Sequence, residues 1–168
     1  MIKNLFPFQV NQFEVKQLTK DSFPEIQTFL NLFDDFFQLC EGEKGSALGL
    51  LKACPPTKNI HQDKFVLGFF DRNNLVGLID LIANYPEKNT WTTGYFFIHP
   101  SYQHQGLGAQ FFHALEGILA PQKMRCVVQK QNENALKFWQ AMDFKIVSRR
   151  EECLGQLINT IFVLEKSY

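Results

Sequence analysis

The residues in this chain best suited to chemistry are six in a row, Gln103-His104-Gln105-Gly106-Leu107-Gly108. They lie between the apolar run Tyr95-Phe96-Phe97-Ile98 and the stretch Ala109-Gln110-Phe111-Phe112-His113-Ala114-Leu115. The pattern reads as strand, glycine turn, helix. Two glycines at the mouth of a helix leave backbone N–H groups unpaired at the positive end of the helix dipole, a cradle for an anion such as a phosphate group. A nucleoside-triphosphate loop would need a Gly-Lys-Ser/Thr ending, and the only Lys followed by Ser or Thr is Lys166-Ser167, with no glycine before it. A dinucleotide fingerprint would need a third glycine where Phe111 stands. Taken alone, a Gly-x-Gly pair before a helix also serves as a tight entry that allows close packing.

A second element lies downstream. Met124-Arg125-Cys126-Val127-Val128 reads as a short buried strand, and Asn132 then caps a helix carrying Ala135, Phe138, Trp139 and Met142 on one face before Asp143-Phe144. The six-residue loop matches [Q/R]-x-x-G-x-[G/A], and the second element is close to N-x-x-A-x-x-[FLY]-[YW]-x-x-x-G-F, with Asp143 standing at the glycine. Together they resemble the GNAT acetyltransferase superfamily, from about Leu75 to Phe144.

At 168 residues and 45% hydrophobic content, the chain is expected to form a single domain over 1–168 with one core. The formal charge of +0 disfavours an electrostatic grip on nucleic acid or an anionic membrane. No apolar run reaches the length of a membrane span, and the first twelve residues lack a basic start followed by an apolar stretch, so a cytoplasmic protein is expected. Cys40, Cys54, Cys126 and Cys153 lie far apart, and His61, His99, His104 and His113 do not cluster, so no metal is expected. Cys126 sits in an apolar strand pattern and reads as a packed thiol rather than a nucleophile.

The positioning elements follow from periodicity. Phe13 to Gln17 alternates like a strand, and a helix is predicted from the Asp21 region to about Leu39, with Ile26, Phe29, Leu30, Phe33, Phe36 and Phe37 at three- and four-residue steps. A short helix over 46–53 stops at Pro55-Pro56. Strands over 64–70 and 75–82 flank the turn Asp71-Arg72-Asn73-Asn74, a second turn spans 85–90, and a strand over 92–98 leads into the loop and its helix. Strands at 124–129, near 144–151 and near 159–164 complete the order β-α-α-β-β-β-α-β-α-β-β, a mixed α/β (α+β) sheet with helices on its faces. This is the order of the GNAT acyl-CoA N-acyltransferase fold.

The resemblance implies a function, an acetyl-CoA-dependent N-acetyltransferase working by direct attack of an amine in a ternary complex. Loop N–H groups around Gln103, His104, Gln105, Gly106, Leu107, Gly108 and Ala109 would hold the coenzyme A pyrophosphate. Backbone groups of Phe97 and Ile98 would meet the pantetheine arm or the reacting carbonyl, with Asn132, Ala135 and Phe138 beside the arm. Asn132 can cap its helix and still offer its amide donors. An alkyl amine of pKa about 10.4 is neutral in about one molecule in 2,500 at pH 7, equivalent to about 4.6 kcal/mol of barrier, so a base is useful. The strand Trp91-Thr92-Thr93-Gly94-Tyr95 lacks the carboxylate many family members place there, and Trp139 stands where many place a proton-donating tyrosine.

Asp80 interrupts the apolar run Leu75–Ile82, and a turn centred near Glu87 would set it opposite about residue 94. It is therefore the candidate base, the alternative being a structural carboxylate bonded to backbone or tyrosine. Tyr95 is the second catalytic candidate, and Tyr85 a further one. The acceptor is expected to be a small-molecule amine. A protein or peptide amine is the alternative within the class, and a non-catalytic acyl-CoA-binding module the alternative outside it. A homodimer is compatible with the pattern.

Overall fold

A computed structural model describes residues 5–168. The first four residues, part of the stretch read for a leader, lie outside the described residues. Strands β1 (Phe8–Val10) and β2 (Phe13–Gln17) are followed by helices α1 (Phe23–Leu30), α2 (Asp34–Glu41) and α3 (Ala47–Lys52). Then come β3 (Lys64–Asp71), β4 (Asn74–Ala83), β5 (Thr90–Ile98), α4 (Leu107–Leu119), β6 (Lys123–Gln129), α5 (Glu133–Ala141), β7 (Lys145–Leu154) and β8 (Leu157–Ser167). One eight-stranded sheet runs β1-β2-β3-β4-β5-β6-β8-β7. Among the described residues only the β5–β6 pair is parallel.

Helices on both faces explain why β3 and β4 read as nearly unbroken apolar runs, a strand buried on two sides having no polar face. On one face Phe111, Phe112 and Leu115 of α4 and Trp139 of α5 pack with Val15, Phe69, Ile79 and Cys126. On the other, Ile26, Phe29, Leu30, Phe37 and Leu50 of α1–α3 pack on Val66, Leu78 and Phe97.

Two expectations change. Strand β1 adds a hairpin before the predicted first strand. The single long helix is two, broken by a 3-10 turn at Asn31–Phe33. Asn31 accepts from Gln27 Nε2 at 2.9 Å, and the same nitrogen reaches the Gly45 carbonyl, so side-chain bonds draw this joint to the loop before α3. The break lets Phe33 stack on Phe97 at 4.4 Å while Phe36 and Phe37 both meet Tyr95.

Candidate active site

Strands β5 and β6 pair only over Thr90–Thr93 and Lys123–Cys126. Beyond Thr93 they part, so β5 from Gly94 to Ile98 and β6 from Val127 to Gln129 edge a splay. His99 N–H donates to Val76 O at 2.8 Å. Because backbone groups alternate sides along a strand, Phe97 is turned toward β4, while Phe96 and Ile98 face the gap. Of the two residues expected to offer backbone groups, Ile98 is the one with an N–H on the open side. Its carbonyl there accepts from Gln103 Nε2 at 2.9 Å, which ties the loop to the strand.

The loop has the expected form. His104 (φ 59°) and Gly106 (φ 77°) are left-handed, and Gly106 starts α4 with no side-chain cap. Among the described residues none accepts from the N–H groups of His104, Gln105, Gly106, Leu107, Gly108 or Ala109. A Cβ on Gly108 would stand 3.3 Å from Phe138 and 3.7 Å from Ile98, so this glycine keeps loop, α5 and splay close together. The unpaired donors and the clear strand edge below them fit a pyrophosphate with a thin arm descending into the gap. Asn132 Oδ1 accepts from Ala135 N–H at 3.3 Å, and its amide nitrogen bonds none of the described residues. Asp143 has φ 68°, which explains why glycine is usual there. Trp139 is buried among Phe96, Phe112, Phe138 and Phe144, and its indole N–H has no partner among the described residues.

At the vertex of the splay Thr93 is buried, and its hydroxyl has no partner among the described residues. Next to it β4 and β5 lose register, with Asp80 facing the pair Gly94-Tyr95 in a bulge. Asp80 thus lies where the hairpin count set it. Its carboxylate is sealed in, 2.7 Å from Lys64 Nζ, with side chains only 7% and 3% exposed. A Cβ at Gly94 would lie 2.5 Å from Asp80 Oδ2, so the glycine makes room for the ion pair. Burial pushes the Asp80 carboxyl up, against the pull of Lys64.

Tyr95 carries the site onto the α1–α3 face. Its hydroxyl donates to Glu41 Oε1 at 2.6 Å, and its ring stacks on Phe97 at 5.6 Å. Burial, then the bond to Glu41, holds the phenol well above its usual range. Glu41, the last residue of α2, is the functional candidate that sequence reasoning missed. It is 8% exposed, and burial raises its carboxyl while the Tyr95 bond lowers it. The end of α2 is clamped across the mouth of the splay. Leu39 O accepts from Gln131 Nε2 (3.1 Å), Cys40 O from Asn159 Nδ2 (2.8 Å), and Glu41 O from Gln156 N–H (2.7 Å). Gln131 and Asn159 also line a recess of about 380 Å³ with Lys130, Glu133, Leu157, Ile158 and Thr160. Burial raises the thiols of Cys40, to about 11, and of Cys54 and Cys126, so none is poised as a thiolate. Among the described residues no three histidine, cysteine or acidic side chains gather as a metal site, and no helix is long and apolar enough to cross a membrane.

A mixed sheet splayed between two parallel strands, with an anion loop at the head of the following helix, defines an acyl-CoA-type transferase fold. The acetyltransferase (GNAT) family model matches residues 26–144, and the chain belongs to that family. The fold is also that of an acetyltransferase from Thermus thermophilus, at 23% identity and TM-score 0.72 over 93% of this chain and 98% of that one. An acetyl transferase from Salmonella typhimurium that modifies the N-terminal serine of 50S ribosomal subunit protein L7/L12 matches at 13% identity and TM-score 0.77, over 95% and 98%. The PaiA N-acetyltransferase from Thermoplasma acidophilum, solved in complex with coenzyme A, matches at 20% and 0.67, over 93% and 99%. A search of curated protein sequences found no match.

Proposed function

We propose that this acetyltransferase moves the acetyl group of acetyl-CoA to the primary amine of a small molecule, by direct attack within a ternary complex. The observation that carries the reading is the succession of groups along β5 and the loop that follows it. Unpaired N–H groups from His104 to Ala109 head α4, the Ile98 N–H faces the splay on the strand that leads to them, and three residues earlier on that strand Tyr95 bonds Glu41. The loop would hold the pyrophosphate, and Asn132 Nδ2 would be free for the pantetheine amide, with Ala135 and Phe138 against the arm. Acetyl-CoA would supply an activated thioester. The Ile98 N–H would face the charge that develops on its carbonyl oxygen, a contribution of a few kcal/mol.

A small acceptor is supported by how the amine side is closed. The β7–β8 turn reaches the Glu41 carbonyl through the Gln156 N–H, which closes the end of α2 against the hairpin. Tyr95 would orient the acceptor. Asp80 keeps a candidate part as the buried charge beneath Tyr95, its proton chemistry tied to Lys64. The test is release of free CoA thiol from acetyl-CoA with a set of small amines and with a peptide bearing N-terminal serine. Turnover of small amines alone is the expected result, whereas preference for the peptide would reassign the acceptor to a protein N-terminus. Binding of acetyl-CoA with no turnover of any amine would leave a non-catalytic binding module.

A further inference from the structure

Glu41 is expensive where it stands. It ends α2, where the helix dipole disfavours a negative charge, and it is nearly sealed from water. The titratable groups around it bring no compensating cation. On its own segment lie Cys40 and Glu43, and β5 offers Tyr95. From the β7–β8 side it meets the Gln156 N–H, given to its backbone, and the Gly155 backbone. No lysine, arginine or histidine among the described residues bonds it. A glutamine would accept from Tyr95 equally well, so architecture alone does not call for an acid. Oε1 accepts a hydrogen bond from the Tyr95 hydroxyl, whereas Oε2 is bonded to none of the described residues. Two side-chain bonds and one backbone bond hold the last carbonyls of α2 to Gln131, just past the end of β6, and to Asn159 and Gln156 of the β7–β8 hairpin.

We infer that Glu41 is the general base of the transfer, held by Tyr95 with Oε2 toward the incoming amine. This rests on the acetyl-transfer reading above. One proton of the alkylammonium passes to Oε2, and the nitrogen lone pair forms the C–N bond to the acetyl carbon as the C–S bond breaks. The second nitrogen proton leaves with the thiolate as CoA–SH, and Glu41 returns its proton to water. A carboxylate whose pKa is raised by burial is a stronger base than a free one.

The test compares wild type, Glu41→Gln and Tyr95→Phe from pH 6 to 10. CoA thiol release is followed with spermidine, phenethylamine and a Ser-Ala-Ala peptide, and without acceptor as hydrolysis. Unfolding temperature with and without acetyl-CoA is recorded alongside. Glu41→Gln is expected to lose about 10²–10³-fold in kcat at pH 7. It should keep the wild-type rise in unfolding temperature with acetyl-CoA, and its deficit should shrink as alkali supplies neutral amine. Tyr95→Phe removes the bond that lowers the Glu41 carboxyl, so the acidic limb of its profile should move to higher pH. Wild-type turnover in Glu41→Gln, or a deficit constant across pH, overturns the inference while leaving the transferase reading intact. No thermal response of the wild type to acetyl-CoA, or no turnover with any acceptor or water, overturns both.

Discussion

The two sides of the splay are assembled over very different distances in sequence. On the proposed donor side Gln103 bonds Ile98 five residues away and Gln105 bonds Ser101 four away, and the groups proposed to meet the ligand are backbone N–H donors that any sequence able to make the turn would present. On the proposed acceptor side Tyr95 meets a carboxylate 54 residues distant, and the clamp on α2 reaches across 92 and 119 residues. A local motif suffices for a common donor molecule. Recognition of a particular amine needs side chains that only the finished fold brings together.

This contrast can be broken at several places. The largest expected effect is at the buried ion pair beneath the acceptor side. Asp80→Asn leaves Lys64 charged and uncompensated and should cost about 3–5 kcal/mol, read as a fall in denaturation midpoint. Asp80→Leu with Lys64→Met should regain most of that loss. If the double variant folds and turns over normally, Asp80 is architectural, whereas a folded but inactive one makes it part of the proton path.

A smaller and opposite effect is expected at the vertex. Thr93→Val removes a buried hydroxyl that has no partner while keeping its shape, and should stabilise the protein by about 1 kcal/mol, or about 2–4 °C in unfolding temperature. A simultaneous rise in KM for acetyl-CoA would show that the hydroxyl waits for the acyl arm, and an unchanged KM would show that it does not.

The smallest effect is in pH dependence. The folded state raises the Glu41 carboxyl above its ordinary value, so the unfolded chain ionises first and the native state holds the proton longer. This contribution to stability is full below about pH 4.5 and is lost as pH rises through the raised folded value. The unfolding temperature of the wild type relative to Glu41→Gln should therefore decline from pH 4 upward and then level off. A difference that grows with pH would contradict the sign.

Much of the donor side was legible because its signals are local. The glycine loop, the Asn132 cap and the hairpin count that set Asp80 opposite residue 94 all depend on spacing within one or two elements. The left-handed Asp143 occupies a position where glycine is usual, and its neighbours still identified the motif. The break between α1 and α2 escaped periodicity because Asn31 and Phe33 follow tertiary bonds and ring stacking rather than helix phase. Strand β1 is three residues long, too short for alternation to register. Glu41 had one faint signal, an acid in a last helical turn directly before the Gly42 cap, where the dipole argues against it. The Lys64 partner of Asp80 was hidden because it begins a strand whose other residues are almost all apolar.

The central claim, that the loop and splay bind acetyl-CoA, is tested most directly by thermal unfolding of the wild type and Gly106→Trp with and without acetyl-CoA. A Cβ at Gly106 meets nothing within 4 Å, so the indole would project into the space above the N–H cradle rather than into the core. The left-handed backbone there lowers the variant's own stability, so the quantity compared is each protein's rise on adding ligand. At about 100 times its Kd the ligand should stabilise the wild type by about 2.7 kcal/mol, about 5–10 °C for a domain of this size, with little rise in the variant. No shift of the wild type at millimolar acetyl-CoA, or an equal shift in both proteins, would contradict the account.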